Sequence, residues 1–134
     1  MTYVVRAETP PVEVYQHLRV ATGLSPKSAA AAAAGLAGGW YSVVGYRDDR
    51  PVGMGRVIGD GGTAFQIVDV CVLPEHQGRG LGKKIMGALM EHLRQRAPRT
   101  AYISLIADGD ARHLYTRYGF AETAPHSVGM ALRL

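Results

Sequence analysis

From Val72 to Gly82 the sequence reads VLPEHQGRGLG, so Gly78, Gly80 and Gly82 alternate with Gln77, Arg79 and Leu81, and Lys83 follows at once. An apolar, strand-like run stops at Pro74, and an amphipathic helical pattern opens at Gly80. The first turn of a helix carries backbone N–H groups without internal partners, together with the positive end of the aligned peptide dipoles. That end accepts an anion. Glycines keep Cβ atoms out of the way of a pyrophosphate approaching those amides, and Gln77, Arg79 and Lys83 add donors and charge. The chemistry expected here is the holding of a phosphate-bearing ligand.

Two familiar phosphate loops do not fit. A P-loop places Ser or Thr after its lysine, whereas Lys83 is followed by Lys84. A dinucleotide fingerprint has GxGxxG early in a βαβ unit, but here the spacing is GxGxG and little chain follows it. A third pattern, Gln or Arg, two residues, Gly, one residue, then Gly or Ala, is met by Gln77, Gly80 and Gly82 directly after VDVCVLPEH. A second motif, DARHLYTRYGF at residues 110–120, places Ala111, Tyr115, Gly119 and Phe120 at matching intervals. On these residues, spanning roughly 64–120, the chain resembles the GNAT superfamily of acyl-CoA-dependent N-acyltransferases.

That resemblance implies transfer of an acetyl group from acetyl-CoA, the co-substrate, to a primary amine by direct attack in a ternary complex. Gln77, Gly78, Arg79, Gly80, Leu81, Gly82 and Lys83 would hold the pyrophosphate. A strand splayed from its parallel neighbour would offer the backbone of Val70, Cys71 and Val72 to pantetheine, although an ordinary sandwiched strand accounts for the same apolar residues. Tyr115 would donate to the departing sulfur, since a phenol stays neutral at physiological pH. A core tyrosine beside Leu114 and Tyr118 is the plainer alternative. The place seven before Tyr115, often asparagine in relatives, is Asp108.

The general base is less clearly written. Gln66 and Val68 do not titrate, leaving Asp69 as the one carboxylate in Phe65–Leu73. Strict alternation puts it on the opposite face from 66 and 68 unless a bulge intervenes. His76 reads as part of an exposed turn. Cys71, the single cysteine, reads as strand packing rather than a nucleophile. His17, His92, His113 and His126 have no metal-ligand spacing among themselves or with Cys71, so no metal is expected. A domain that binds acyl-CoA without turnover is the rival from another class.

The 134 residues, 47% of them apolar, suit a single domain over residues 1–134 that needs neither disulfide nor metal. One cysteine and no signal-like start point to the cytoplasm, and no run is apolar enough to span a membrane. The net charge of +4 favours anionic partners, but the basic residues are dispersed and Arg79, Lys83 and Lys84 gather at the phosphate loop. Nucleic acid is therefore not the expected partner. The partner expected is a small-molecule or peptidyl amine, with a homodimer left open.

The elements that must position these residues follow from pattern. Tyr3–Ala7 reads as a strand, and Pro10 and Pro11 open a helix with Val14, Leu18 and Ala21 on one face. Ser25–Pro26 reads as the cap of an alanine-rich helix closing near Gly38–Gly39. Trp40–Tyr46, Val52–Ile58 and Phe65–Leu73 form an antiparallel meander with turns at residues 47–50 and 59–62. Leu81, Ile85, Ala88, Leu89 and Leu93 mark a helix ended by Pro98, and Ala101–Ile106 follows as a parallel strand. Asp108 and Asp110 are capping types for a last helix, and Val128–Leu134 reads as a final strand. The expected fold is α+β in three layers, GNAT-like, a mixed and mostly antiparallel sheet with a central splayed parallel pair and about four helices.

Overall fold

The computed structural model describes residues 2–134. Strand β1 (Tyr3–Ala7) leads into α1 (Val12–Ala21) and α2 (Ala29–Ala37). The meander β2 (Tyr41–Arg47), β3 (Arg50–Gly59) and β4 (Ala64–Val72) follows, then α3 (Leu81–Arg96), β5 (Tyr102–Leu105) and α4 (Arg112–Thr116). The sheet runs β1-β2-β3-β4-β5, antiparallel up to β4 and parallel between β4 and β5. Fold class and helix number are those expected, and most boundaries move by a residue or two.

Turn chemistry sets the meander. Asp48 and Asp49 both take positive φ, 51° and 63°, the backbone a two-residue hairpin requires. At the next turn Asp60 Oδ1 accepts from the N–H groups of Gly62 and Thr63, each at 2.8 Å. The Thr63 hydroxyl and these amides hold the Asp60 carboxyl far below the usual carboxylate range.

Helices cover both faces. On one, Leu81, Ile85, Met86, Leu89 and Leu93 of α3 pack on Val43, Val57, Phe65 and Ile67. On the other, Tyr15 and Leu18 of α1 with Ala32 and Leu36 of α2 enclose Met54 and Cys71. Close approach of α3 depends on glycine in the sheet: a Cβ at Gly55 would lie 2.7 Å from Ile85 Cγ2 and 2.9 Å from Leu89 Cδ1.

Four local expectations are corrected. The cap of α2 is Ser28, which accepts from Ala31 N–H at 3.1 Å, because Ser25 is taken up by Arg19. The buried face of α1 carries Tyr15 and Arg19 beside the expected Leu18, with Val14 partly buried against the same cluster and Ala21 outside it. Neither Asp108 nor Asp110 caps α4, which is entered through a 3₁₀ turn at Gly109–Ala111. Residues 128–134 form no strand, because strand-prone sequence becomes a strand only against a partner edge. The parallel pair therefore lies at the margin of the sheet, not at its centre.

Candidate active site

Strands β4 and β5 pair from Ala64↔Tyr102 to Ile67↔Leu105 and no further. Beyond Ile67, β4 continues to Val72 with β3 as its one partner among the described residues. The margin of Val68–Val72 that faces away from β3 is thus free to pair with an extended ligand. The ladder thus stops short of Val70, Cys71 and Val72, because β5 ends at Leu105.

The free margin leads directly into the glycine loop. Gly78 and Gly80 adopt left-handed φ values of 75° and 86°, and a Cβ on either would meet no protein atom within 4 Å, so the space in front of them is open. Gly80 caps α3 without a side chain, leaving the first-turn amides of Leu81, Gly82 and Lys83 to an outside acceptor. Gln77 shapes the loop by donating Nε2 to the Val72 carbonyl at 3.0 Å. Arg79 and Lys83 are exposed at the rim. Lys84, expected among the phosphate cations, donates instead to the Tyr3 carbonyl at 3.2 Å and ties α3 to β1.

Tyr115 comes from α4, half-buried and edge-to-face with Phe120 at 6.5 Å between ring centres. The helix is seated on α3 by the Tyr118 hydroxyl, which donates to the Lys83 carbonyl at 2.8 Å. A Cβ on Gly82 would lie 3.9 Å from Leu114 and 4.0 Å from Val72, so loop, strand end and α4 converge there. Burial, and then the Asp108 carboxylate, push the Tyr115 phenol up. It therefore remains a neutral donor across the physiological range.

Asp69 has a different setting from that of a free base. Opposite Gly55 the register slips, with Arg56 paired to Val68 and Met54 to Cys71, so Asp69 and Val70 bulge. Asp69 sits at φ 58°, and the bulge reverses the facing of the strand. Phe65 and Ile67 pack toward α3, yet Cys71 packs toward α1 and α2. Arg19 donates to Asp69 Oδ1, while Oδ2 accepts from Tyr15 at 2.8 Å and from Arg56 at 2.9 Å. The carboxylate is 10% exposed and both its oxygens are occupied. This arrangement makes it the anchor of α1, β3 and β4; Arg56 extends the knot to the Gly35 carbonyl of α2. Tyr15, Arg19 and Arg56 escaped sequence reading, although an arginine inside an apolar strand or on the apolar face of a helix is itself a signal of a buried counter-charge.

His76 is less exposed than expected. It is half-buried, its Nδ1 2.9 Å from the Tyr3 hydroxyl, to which Arg47 donates at 3.1 Å. Burial pushes the Cys71 thiol up to about 11, the behaviour of packing rather than of a nucleophile. Beside the loop lies a cavity of about 870 Å³, walled by His17 and Ala21, the turn 47–50, Leu73–His76 and Arg79.

Residues 11–133 match the family model of the acetyltransferase (GNAT) domain. The chain belongs to the GNAT family. A solved structure from meticillin-resistant Staphylococcus aureus, described as a protein of unknown function and probable acetyltransferase, is 44% identical to this GNAT chain. It superposes with a TM-score of 0.94 over 99% of this chain and 100% of that one. The uncharacterized N-acetyltransferase ycf52 of Porphyra purpurea is 38% identical over 81 residues, 60% of this chain and 45% of that protein. The [ribosomal protein bS18]-alanine N-acetyltransferase of Haemophilus influenzae is 32% identical over 56 residues, 42% of this chain and 38% of that protein. The matches thus span about half or less of these curated relatives. In this GNAT chain the free margin of β4 runs on into the loop 77–83.

Proposed function

We propose that this GNAT chain is an N-acetyltransferase that moves the acetyl group of acetyl-CoA to a primary amine by direct attack. The observation that carries this reading is the unpaired margin of β4 running from Val68 to Val72 into the open glycine cradle at the start of α3. One margin hydrogen-bonds an extended amide-bearing arm; the helix end binds its pyrophosphate.

Acetyl-CoA, when bound, supplies an activated thioester. The chain's own residues do the rest. The amides of Leu81, Gly82 and Lys83 hold phosphate oxygens, with Arg79 and Lys83 adding charge at the rim. A backbone N–H in Val70–Val72 faces the acyl carbonyl and stabilises negative charge developing there. Tyr115 donates a proton or hydrogen bond to the leaving sulfur. Asp69 serves as a positioning residue that fixes the bulge, and with it the direction of the Val70 and Cys71 backbone groups. The acceptor enters through the cavity beside Leu73, whose wall carries both charges, Asp48, Asp49 and Glu75 beside Arg47, Arg50 and Arg79, and the neutral amine attacks and gives its proton to water.

The test is calorimetric titration with acetyl-CoA beside ADP, followed by an amine panel monitored for free thiol. Binding that requires the pantetheine arm, with turnover on an amine, supports the transferase. Tight binding without turnover on any amine favours an acyl-CoA-binding domain, and binding of ADP as tight as that of acetyl-CoA contradicts the role given to β4.

A further inference from the structure

The two signs of charge on the wall of the cavity beside Leu73 are not placed alike. Asp48 and Asp49, in the turn between β2 and β3, are 79% and 90% exposed, so water and salt screen them. Each also has a cation at hand. Asp48 lies 3.5 Å from Arg47 Nε, and Asp49 lies 3.3 Å from Arg6, which does not line the cavity. Arg47, by contrast, is 12% exposed. Its guanidinium is held in place, donating to the Tyr3 hydroxyl at 3.1 Å and lying 5.1 Å from the centre of the Tyr3 ring. Arg50 and Arg79 line the same cavity and enter no ion pair among the described residues, with Glu75 the one remaining acid beside them. The acids thus stand at the wet rim and a fixed cation in the inner wall.

On the reading that the acceptor enters here, we infer that it is an amine carrying its own oxyanion, a carboxylate or a phosphate, which rests against Arg47 and Arg50. A planar guanidinium meets either group through two parallel N–H donors, and one already fixed by its neighbours loses little freedom in doing so. Water is partly excluded around Arg47, which strengthens its attraction for an anion relative to the screened pull of Asp48 and Asp49 on a cation. Arg50, the first residue of β3 and exposed, supplies a second and adjustable donor. Arg79 belongs to the phosphate loop and adds positive potential on the side of the acyl donor. A simple cationic amine meets the reverse arrangement, attraction at the rim and repulsion inside.

Matched amines test this: phosphoethanolamine beside ethanolamine, and β-alanine beside β-alaninamide, each with acetyl-CoA and read as free thiol. The anion-bearing member of at least one pair should show a kcat/KM about 10- to 100-fold higher, the worth of charge-assisted hydrogen bonds, and Arg50→Ser should bring that ratio toward one. The pair that responds tells phosphate from carboxylate. Turnover that is equal within both pairs, or a ratio untouched in Arg50→Ser, overturns the inference. A second arm needs no turnover and decides the matter where none of the four amines reacts. Inorganic phosphate and acetate are titrated at fixed pH while the His17 imidazole, on the α1 side of the cavity, is followed by NMR. A saturable shift that weakens about 10-fold in Arg50→Ser is expected. Silence of His17 toward both anions, or a response indifferent to Arg50, overturns it. Failure of the transferase reading shows separately, as absence of acetyl-CoA binding in calorimetry.

Discussion

Three side chains carry distinct and separable consequences. Replacing Tyr115 by Phe removes a donor that acts as the thiolate leaves, so kcat should fall by about 10²-fold with the KM for acetyl-CoA little changed. Steady-state kinetics on any accepted amine checks this. Asp69→Asn leaves Arg19 and Arg56 buried without a counter-charge, and the cost should be about 3–5 kcal/mol, read as a lower urea midpoint. Cys71 gives a pH dependence with a definite sign. Its thiol rises from an ordinary 9.0 to about 11, so the folded chain keeps a proton that the unfolded chain loses over that window. Stability is fully present below pH 9 and falls as pH rises toward 11, by roughly 2–3 kcal/mol. Denaturant titrations of wild type and Cys71→Ala across that range should show the alkaline slope disappear in the variant. The glycine turn that opens α3 was legible in sequence because left-handed Gly78 and Gly80 rest on local backbone and residue type. The occupancy of Asp69 was not, because its partners lie 54, 50 and 13 residues away.

Elements are held in place by absent side chains as much as by present ones. Gly55 lies where α3 crosses the sheet, and Gly55→Val places Cβ within 2.7 Å of Ile85, so overpacking should cost about 1–3 kcal/mol and shift the thermal midpoint down. Gly80 is constrained by backbone rather than space, with φ at 86° and nothing near its Cβ. Gly80→Ala should raise the Kd for acetyl-CoA by about 10-fold by straining the loop while destabilising the fold by only ~1 kcal/mol. Calorimetry and thermal unfolding of the same variant separate the two effects. The meander, α3 and the parallel crossover were readable because period-2 and period-3.6 patterns are local and strong there. The bulge at Asp69 escaped because alternation in sequence continues straight through it; only the register with β3 reveals that the facing has reversed. The segment 128–134 was read as a final strand and forms none, because whether strand-prone sequence pairs depends on an edge that sequence pattern does not locate.

At the scale of the molecule, a parallel pair opened at its margin, a helix N-terminus behind a glycine loop and a tyrosine-bearing helix are assembled by one crossover, β4–α3–β5–α4. The net charge of +4 places this site in a field favourable to a polyanionic ligand, and the affinity for acetyl-CoA should weaken as salt rises because Arg79 and Lys83 are exposed to screening. The central claim is that the unpaired margin of β4 and the loop 77–83 act together on one ligand. The most direct measurement is calorimetric titration of the wild type with acetyl-CoA, ADP and pantetheine, each alone. The account predicts that acetyl-CoA binds far more tightly than either fragment and that Gly80→Ala weakens acetyl-CoA and ADP but leaves pantetheine unchanged. Equal affinity for ADP and acetyl-CoA, or no binding of acetyl-CoA at all, would contradict it.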